Sequence, residues 1–182
     1  MIAVAIIGAG PLGRWLALSA ARAGFRVFLE DVMPTNLHHA REAIRAELGA
    51  EALPNVNFVS TIEDAVRDAD LAIDCVPDEL ESKLEIFCLL DRMAPPRTVL
   101  ATPTTRLSIA DLAACTYRAG KCIAIVAEAS SLAANAGPAI LLRTTSRTTP
   151  ETLALVDDFW RRLGYIPGFE TDAAEAIAGQ TA

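Results

Sequence analysis

The apolar residues of this chain gather in short unbroken runs: Ile2 to Ile7, Val27 to Leu29, Val56 to Val59, Leu71 to Val76, Val99 to Ala101 and Cys122 to Ala127. A strand with one wet face would show a polar residue at every second position, so runs without alternation predict strands covered on both faces. Most are separated by stretches with apolar residues three and four apart, the spacing of a helix that buries one stripe. Strands alternating with helices predict crossover connections, and hence an α/β fold with a mostly parallel, doubly wound sheet. Helix starts are marked too. Thr61 with Asp64 and Ser108 with Asp111 have capping-box spacing, and Thr149 before Pro150 reads as an N-cap followed by proline in the first turn. That last helix is expected over about Glu151 to Leu163, after the polar loop "RTTSRTTPET". The run from Ser130 to Ala136 reads as a soft segment, and the chain after Gly168 as a loosely held tail. One domain over residues 1–170 with a tail over 171–182 is the expected organisation.

Composition narrows the classes of function. With 182 residues, 52% of them hydrophobic, the chain can bury one substantial core. Its net charge of −7, with no basic block, argues against a nucleic-acid backbone or an anionic membrane surface as partner. No uninterrupted apolar run reaches the roughly 18 residues of a membrane span, and a Gly-rich turn stands where a secretory signal would need its apolar centre. A cytoplasmic location is expected. Cys75, Cys88, Cys115 and Cys122 show no C-x-x-C spacing, which predicts buried free thiols and no metal site.

The chemical signal lies in "IAVAIIGAGPLGRWLALSAARAGFRVFLED". A strand enters a turn with Gly8, Gly10 and Gly13, a helix follows, and a second strand ends at Asp31. Gly8 permits the tight turn, Gly10 lets a pyrophosphate approach the backbone, and Gly13 lets the helix pack closely. Pro11 occupies a first-turn position that needs no N–H, so the free amides from Leu12 onward, with the positive end of the helix dipole, suit a diphosphate. Asp31 lies 18 residues beyond Gly13, near the separation at which an acid accepts hydrogen bonds from the adenosine ribose. It would repel a 2′-phosphate. No Arg or Lys follows it until Arg41, so NAD is expected over NADP.

Together with "DLAIDCVPDELESKLEIFCLLDRMAPPRTVLATPTTRLSIADLAA", this block resembles the NAD-binding domain of the 3-hydroxyacyl-CoA dehydrogenase family over nearly the whole chain. Family members follow the fourth strand with an acidic residue and a helix carrying E-x-K, then a strand running into "ASNTSSLSI". Here stand Asp78, "ESK" at Glu81 to Lys83, and "ATPTTRLSI". The resemblance implies a Rossmann sheet with further strands after the sixth, Val76 and Pro77 beside the cofactor, and Thr105 in place of a serine near the nicotinamide.

The departures concern chemistry. Where the family reads "HFFNP", its histidine moving the substrate hydroxyl proton, the resemblance aligns Val126, Ala129 and Ser130. His38 and His39 belong to the helical pattern after the second strand and read as solvated. Pro103 replaces an asparagine. The long excursion that helps hold the CoA tail and the helical C-terminal domain of the family are expected to have no counterpart in this sequence. Glu128, Asp78 and Thr105 are the candidate catalytic residues; on a continuing strand Glu128 would share a side with Val126. Glu81 and Lys83 read as solvated or paired, and Arg106 as a surface residue or an attractor of anions. Three classes fit: an NAD-dependent oxidoreductase-like protein acting on a small hydroxy or keto compound, with a homodimer or a separately encoded helical partner; an NAD or NADH sensor; and a structural subunit with an empty cleft.

Overall fold

In the computed structural model, which describes residues 1–48, 55–127 and 138–172, the chain alternates strands and helices in the expected order. Strands β1 (Ala3–Ile7), β2 (Arg26–Glu30), β3 (Val56–Val59), β4 (Leu71–Asp74), β5 (Val99–Pro103) and β6 (Cys122–Ile125) are mutually parallel neighbours in the order β3-β2-β1-β4-β5-β6. Helices α1 (Pro11–Arg22), α2 (Pro34–Leu48), α3 (Ile62–Val66), α4 (Leu80–Met93) and α5 (Ile109–Ala114) connect them. Beyond β6 the sheet continues through β7 (Ala139–Thr144), antiparallel to β6, and β8 (Ile166–Thr171), parallel to β7, with α6 (Pro150–Arg162) between them.

The unbroken apolar runs are explained by two cores, one on each side of the sheet. Val4 and Ile6 of β1 face a layer with Leu16 and Ala17 of α1, Ile44 of α2, and Phe159 and Trp160 of α6. Their neighbours Ala5 and Ile7 face the other layer, with Val66 of α3, Phe87 and Leu90 of α4, and Leu112 of α5. Every residue of β1 is buried, because alternate side chains enter different cores. The three predicted caps form: Thr61 accepts from the Asp64 amide, Ser108 from the Asp111 amide and Thr149 from the Thr152 amide.

Three expectations change. The tail after Gly168 is not loose at its start, since β8 runs to Thr171 and buried Asp172 accepts from Ser108 Oγ at 2.8 Å and the Ala110 amide at 3.1 Å. The strand expected to reach Ala127 ends at Ile125, where the Ala127 amide turns back to the Ile125 carbonyl at 2.9 Å. The alternation that would set Glu128 on the side of Val126 therefore does not continue, and Glu128 itself lies outside the described residues, as do Ser130 to Ala136. The four cysteines are free, but they are not uniformly buried: Cys122 is, Cys75 and Cys115 are half-buried, and Cys88 is exposed on α4. Among the described residues no cluster of His, Cys, Asp or Glu could hold a metal, and no helix is long and apolar enough to cross a membrane.

The order of strands places the site. After β3 the chain returns across β1 to make β4, so the connections from β1 and β4 leave in opposite directions and open a crevice at the strands' carboxyl ends.

Candidate dinucleotide cleft

The crevice is a cavity of about 870 Å³ lined at one end by Gly8, Gly10, Pro11, Leu12, Asp31 and Asn36. Its lining continues past Cys75, Val76 and Pro77 to Asp78, Pro103, Thr105, Arg106 and Ala127. The first turn of α1 faces it without a partner of its own: Gly10 is the N-cap, no side chain caps the helix and no acid sits in the first turn. Among the described residues no side chain caps this helix start, an arrangement of amides and positive helix end that suits an anion.

Gly8 and Gly13 take the structural tasks expected of them. Gly8 has φ +102°, a left-handed conformation that disfavours any side chain. A Cβ on Gly13 would lie 1.8 Å from the Gly8 carbonyl oxygen, so α1 packs directly on the turn beneath it. A Cβ on Gly10 would meet nothing within 4 Å. Gly10 thus leaves open space on the cavity side, the cradle that a diphosphate needs.

Asp31 is buried and holds the turn. Its Oδ2 accepts from the Ala9 amide at 2.9 Å and its Oδ1 from the Met33 amide at 2.8 Å. The Asn36 side-chain amide donates to both oxygens, at 3.2 and 3.1 Å. Asn36 was not singled out from the sequence; its only signal is its place in the first turn of α2, five residues past Asp31. The two histidines are exposed on α2 and do not line the cavity.

Val76 and Pro77 form one wall, supported by Lys83, which the sequence reads as solvated or paired: it is paired with Asp74, and it is buried. The Val76 amide donates to Asp74 Oδ1 at 2.9 Å, while Lys83 Nζ donates to the Val76 carbonyl at 3.2 Å. Lys83 further donates to Asp74 Oδ2 at 3.3 Å and Thr102 Oγ1 at 2.8 Å, and the Thr102 hydroxyl donates to the same Asp74 oxygen at 3.1 Å. Lys83, Asp74 and Thr102 are all fully buried, so this network holds both backbone polar groups of one cleft-wall residue, Val76. Burial raises the Asp74 carboxyl above its ordinary range, and the Lys83 charge opposes that rise. Burial, reinforced by the Asp74 charge, also pushes the Cys75 thiol up, which leaves it a neutral thiol and not a nucleophile at neutral pH.

At the opposite end, the loop after β5 is fixed by Thr104, whose buried hydroxyl accepts from the Arg106 and Leu107 amides at 3.3 and 3.0 Å. Arg106 Nη2 donates to the Asp78 carbonyl at 2.9 Å, joining this loop to the one after β4. One carboxylate oxygen of Asp78, Oδ1, is buried without a hydrogen-bond partner among the described residues. Asp78 and Thr105 therefore share one end of the cavity.

Glu30, next to Asp31, is 3% exposed, and its Oε1 has no partner among the described residues. Burial first, and the Asp31 charge second, push its carboxyl up to about 7. The fold thus holds this proton more tightly than the unfolded chain does. Stability from this group is present below the ordinary value of 4.5 and declines as the pH rises to about 7. Glu30→Gln is expected to flatten that decline. Urea midpoints of both proteins at about pH 5 and about pH 8 check it, and equal pH dependence would refute it.

A parallel sheet with a glycine turn, an uncapped helix start and an acid closing β2 defines a Rossmann-type dinucleotide-binding domain. The family described as 3-hydroxyacyl-CoA dehydrogenase, NAD binding domain, matches residues 3–167, and the chain belongs to it. A probable 3-hydroxybutyryl-CoA dehydrogenase of Bacillus subtilis is 31% identical over 128 residues, 63% of this chain and 44% of that protein. A 5-formyl-3-hydroxy-2-methylpyridine 4-carboxylate 5-dehydrogenase of Mesorhizobium japonicum is 29% identical over 174 residues, 90% of this chain and 55% of that protein. The chain thus spans about half the length of these relatives. In fold it resembles the (S)-3-hydroxybutyryl-CoA dehydrogenase of Ralstonia eutropha, with a TM-score of 0.84 at 22% identity, covering 94% of this chain and 64% of that one. NAD is the cofactor that this membership supports.

Proposed function

We propose that the chain is an NAD(H)-dependent oxidoreductase-like domain, working in the cytoplasm on a CH–OH or keto group of a small compound. The observation that carries this reading is the extent of the cleft. It runs from Gly10 and Asp31 past Val76 and Pro77 and continues to Asp78, Thr105 and Arg106, providing a polar end beyond the walls expected to flank the cofactor. Residues from Gly8 to Gly13 would hold the diphosphate, and Asp31 the adenosine ribose, whose hydroxyls would take lone pairs now shared with Asn36. Bound NAD supplies a two-electron hydride acceptor. The protein's own part is to position the substrate and to accept or return one proton at the substrate oxygen.

A histidine relay is not part of the proposal, because the sequence has only His38 and His39, both exposed on α2. Asp78 is the candidate proton acceptor, with Thr105 orienting the hydroxyl. The absence of a CoA clamp belongs to the same reading. A second reading, an NAD/NADH-sensing or partner-binding subunit without turnover, is favoured by that missing relay. The exposed Leu141, Ile166 and Phe169 on β7 and β8 would serve a homodimer or helical partner in either case.

Fluorescence titration with NADH tests the shared core of the two readings. Saturable binding is expected, weakened about tenfold in Asp31→Asn, where a charge-assisted acceptor is lost. Binding unaffected by this change would remove Asp31 from the site, and absence of binding would overturn the proposal. Oxidation of NADH with a panel of keto compounds, abolished in Asp78→Asn, would separate the enzyme from the sensor.

A further inference from the structure

We infer that the Arg106 end of the cleft is built for the carboxylate of a short hydroxy acid, with the substrate hydroxyl donating to Asp78. This rests on the reading of the cleft as a dehydrogenase site and names its substrate class. Arg106 is the one cationic residue lining the cavity among the described residues. Its side chain is tied through Nη2 to the Asp78 carbonyl at 2.9 Å, and its backbone amide donates to Thr104 Oγ1 at 3.3 Å. A carbonyl bond orients a guanidinium without neutralising it, and among the described residues no ion pair engages Arg106. The remaining N–H groups keep a planar fork that matches a carboxylate.

The acceptor beside it completes the match. Asp78 lines the same end, and its buried Oδ1 lacks a donor among the described residues. Such an oxygen is costly to leave unpaired; it is closed off from the cavity as the side chain stands, and a rotation of the Asp78 carboxylate on binding would bring it to a substrate hydroxyl. Thr105, with its hydroxyl, stands next to Arg106 in the same lining. A cation, an unpartnered carboxylate oxygen and a hydroxyl at one end of the cavity recognise a carboxylate and an alcohol together. Asp31, the other acid of the cavity, already accepts amide donors on both oxygens and lies at the glycine-turn end.

The test is calorimetric titration of the full chain, with and without NAD⁺, using 3-hydroxybutyrate, its uncharged analogue 1,3-butanediol, and CoA. Wild type is expected to bind the acid about tenfold more tightly than the diol. Arg106→Met should erase that preference and Arg106→Lys restore part of it, while NADH affinity of the variants moves less than about twofold. Equal affinity for acid and diol, or no binding of the acid, would overturn the inference. A parallel loss of NADH in Arg106→Met would reassign the arginine to the cofactor diphosphate, and Arg106-dependent CoA binding that displaces the acid would reassign it to a phosphate; either result also overturns it. Failure of the cofactor reading is distinct, because it appears as absent NADH binding, whereas the acid preference is read separately on the cofactor-free chain.

Discussion

Gly13→Ala is expected to abolish NADH binding and to cost about 3 kcal/mol of stability, the upper part of the usual range for overpacking. The added methyl would sit 1.8 Å from the Gly8 carbonyl oxygen, a backbone atom that cannot swing aside. Either α1 lifts from the turn or the turn itself opens, and each movement displaces the amides that face the cavity. Gly10→Ala is the companion experiment. Gly10 has ordinary extended backbone angles, φ −67° and ψ −173°, and its Cβ would meet no protein atom within 4 Å. That variant should fold with a urea midpoint close to wild type and still lose affinity, because the methyl would enter the space reserved for the diphosphate. Unchanged NADH affinity in Gly10→Ala would refute the placement of the diphosphate there.

Lys83→Met is expected to destabilise the domain by about 3–5 kcal/mol, the usual cost of stranding a buried charge. A domain of this kind has a total stability of roughly 5–15 kcal/mol, so the loss is large. Asp74 would keep its Thr102 and Val76 donors but lose the cation that opposes its desolvation. Its folded-state pKa, already raised, would rise further. A group whose pKa is higher in the fold favours the fold at low pH and loses that contribution as pH climbs through the folded value. The deficit of Lys83→Met should therefore be smaller at about pH 5 than at about pH 8, and Asp74→Asn combined with Lys83→Met should recover much of it. Denaturant unfolding at both pH values is the measurement. A deficit independent of pH would mean that Asp74 is not the group left stranded. Since the same pair holds the Val76 amide and the Val76 carbonyl, the single variant should also weaken NADH binding.

The glycine turn was legible because each of its requirements is local. A left-handed φ, an open approach and a close helix contact each exclude side chains, and so leave a mark in residue type and spacing. The caps of α3, α5 and α6 were legible for a similar reason, since a hydroxyl three residues before the amide it caps is a short-range signal. Lys83 was a different matter. On α4 it reads as a solvated or paired charge; it is paired, and the reason it is also buried lies on two strands, at Asp74 of β4 and Thr102 of β5. Asn36 was missed likewise, because its partner is the side chain of Asp31 and no regular spacing announces the pair. The end of β6 was set too late, since continued apolarity at Val126 and Ala127 conceals the turn that the Ala127 amide makes.

The sequence by itself determined the two-sided sheet, the glycine turn with its uncapped helix start and the acid closing β2, because hydrophobic period and glycine position act over a few residues. Only the tertiary structure decided which charges are buried, where Asp78 and Arg106 meet, and how the wall at Val76 is held. Those outcomes depend on contacts between segments far apart in the chain, and the desolvation that gives such contacts their energy exists only after the segments have packed.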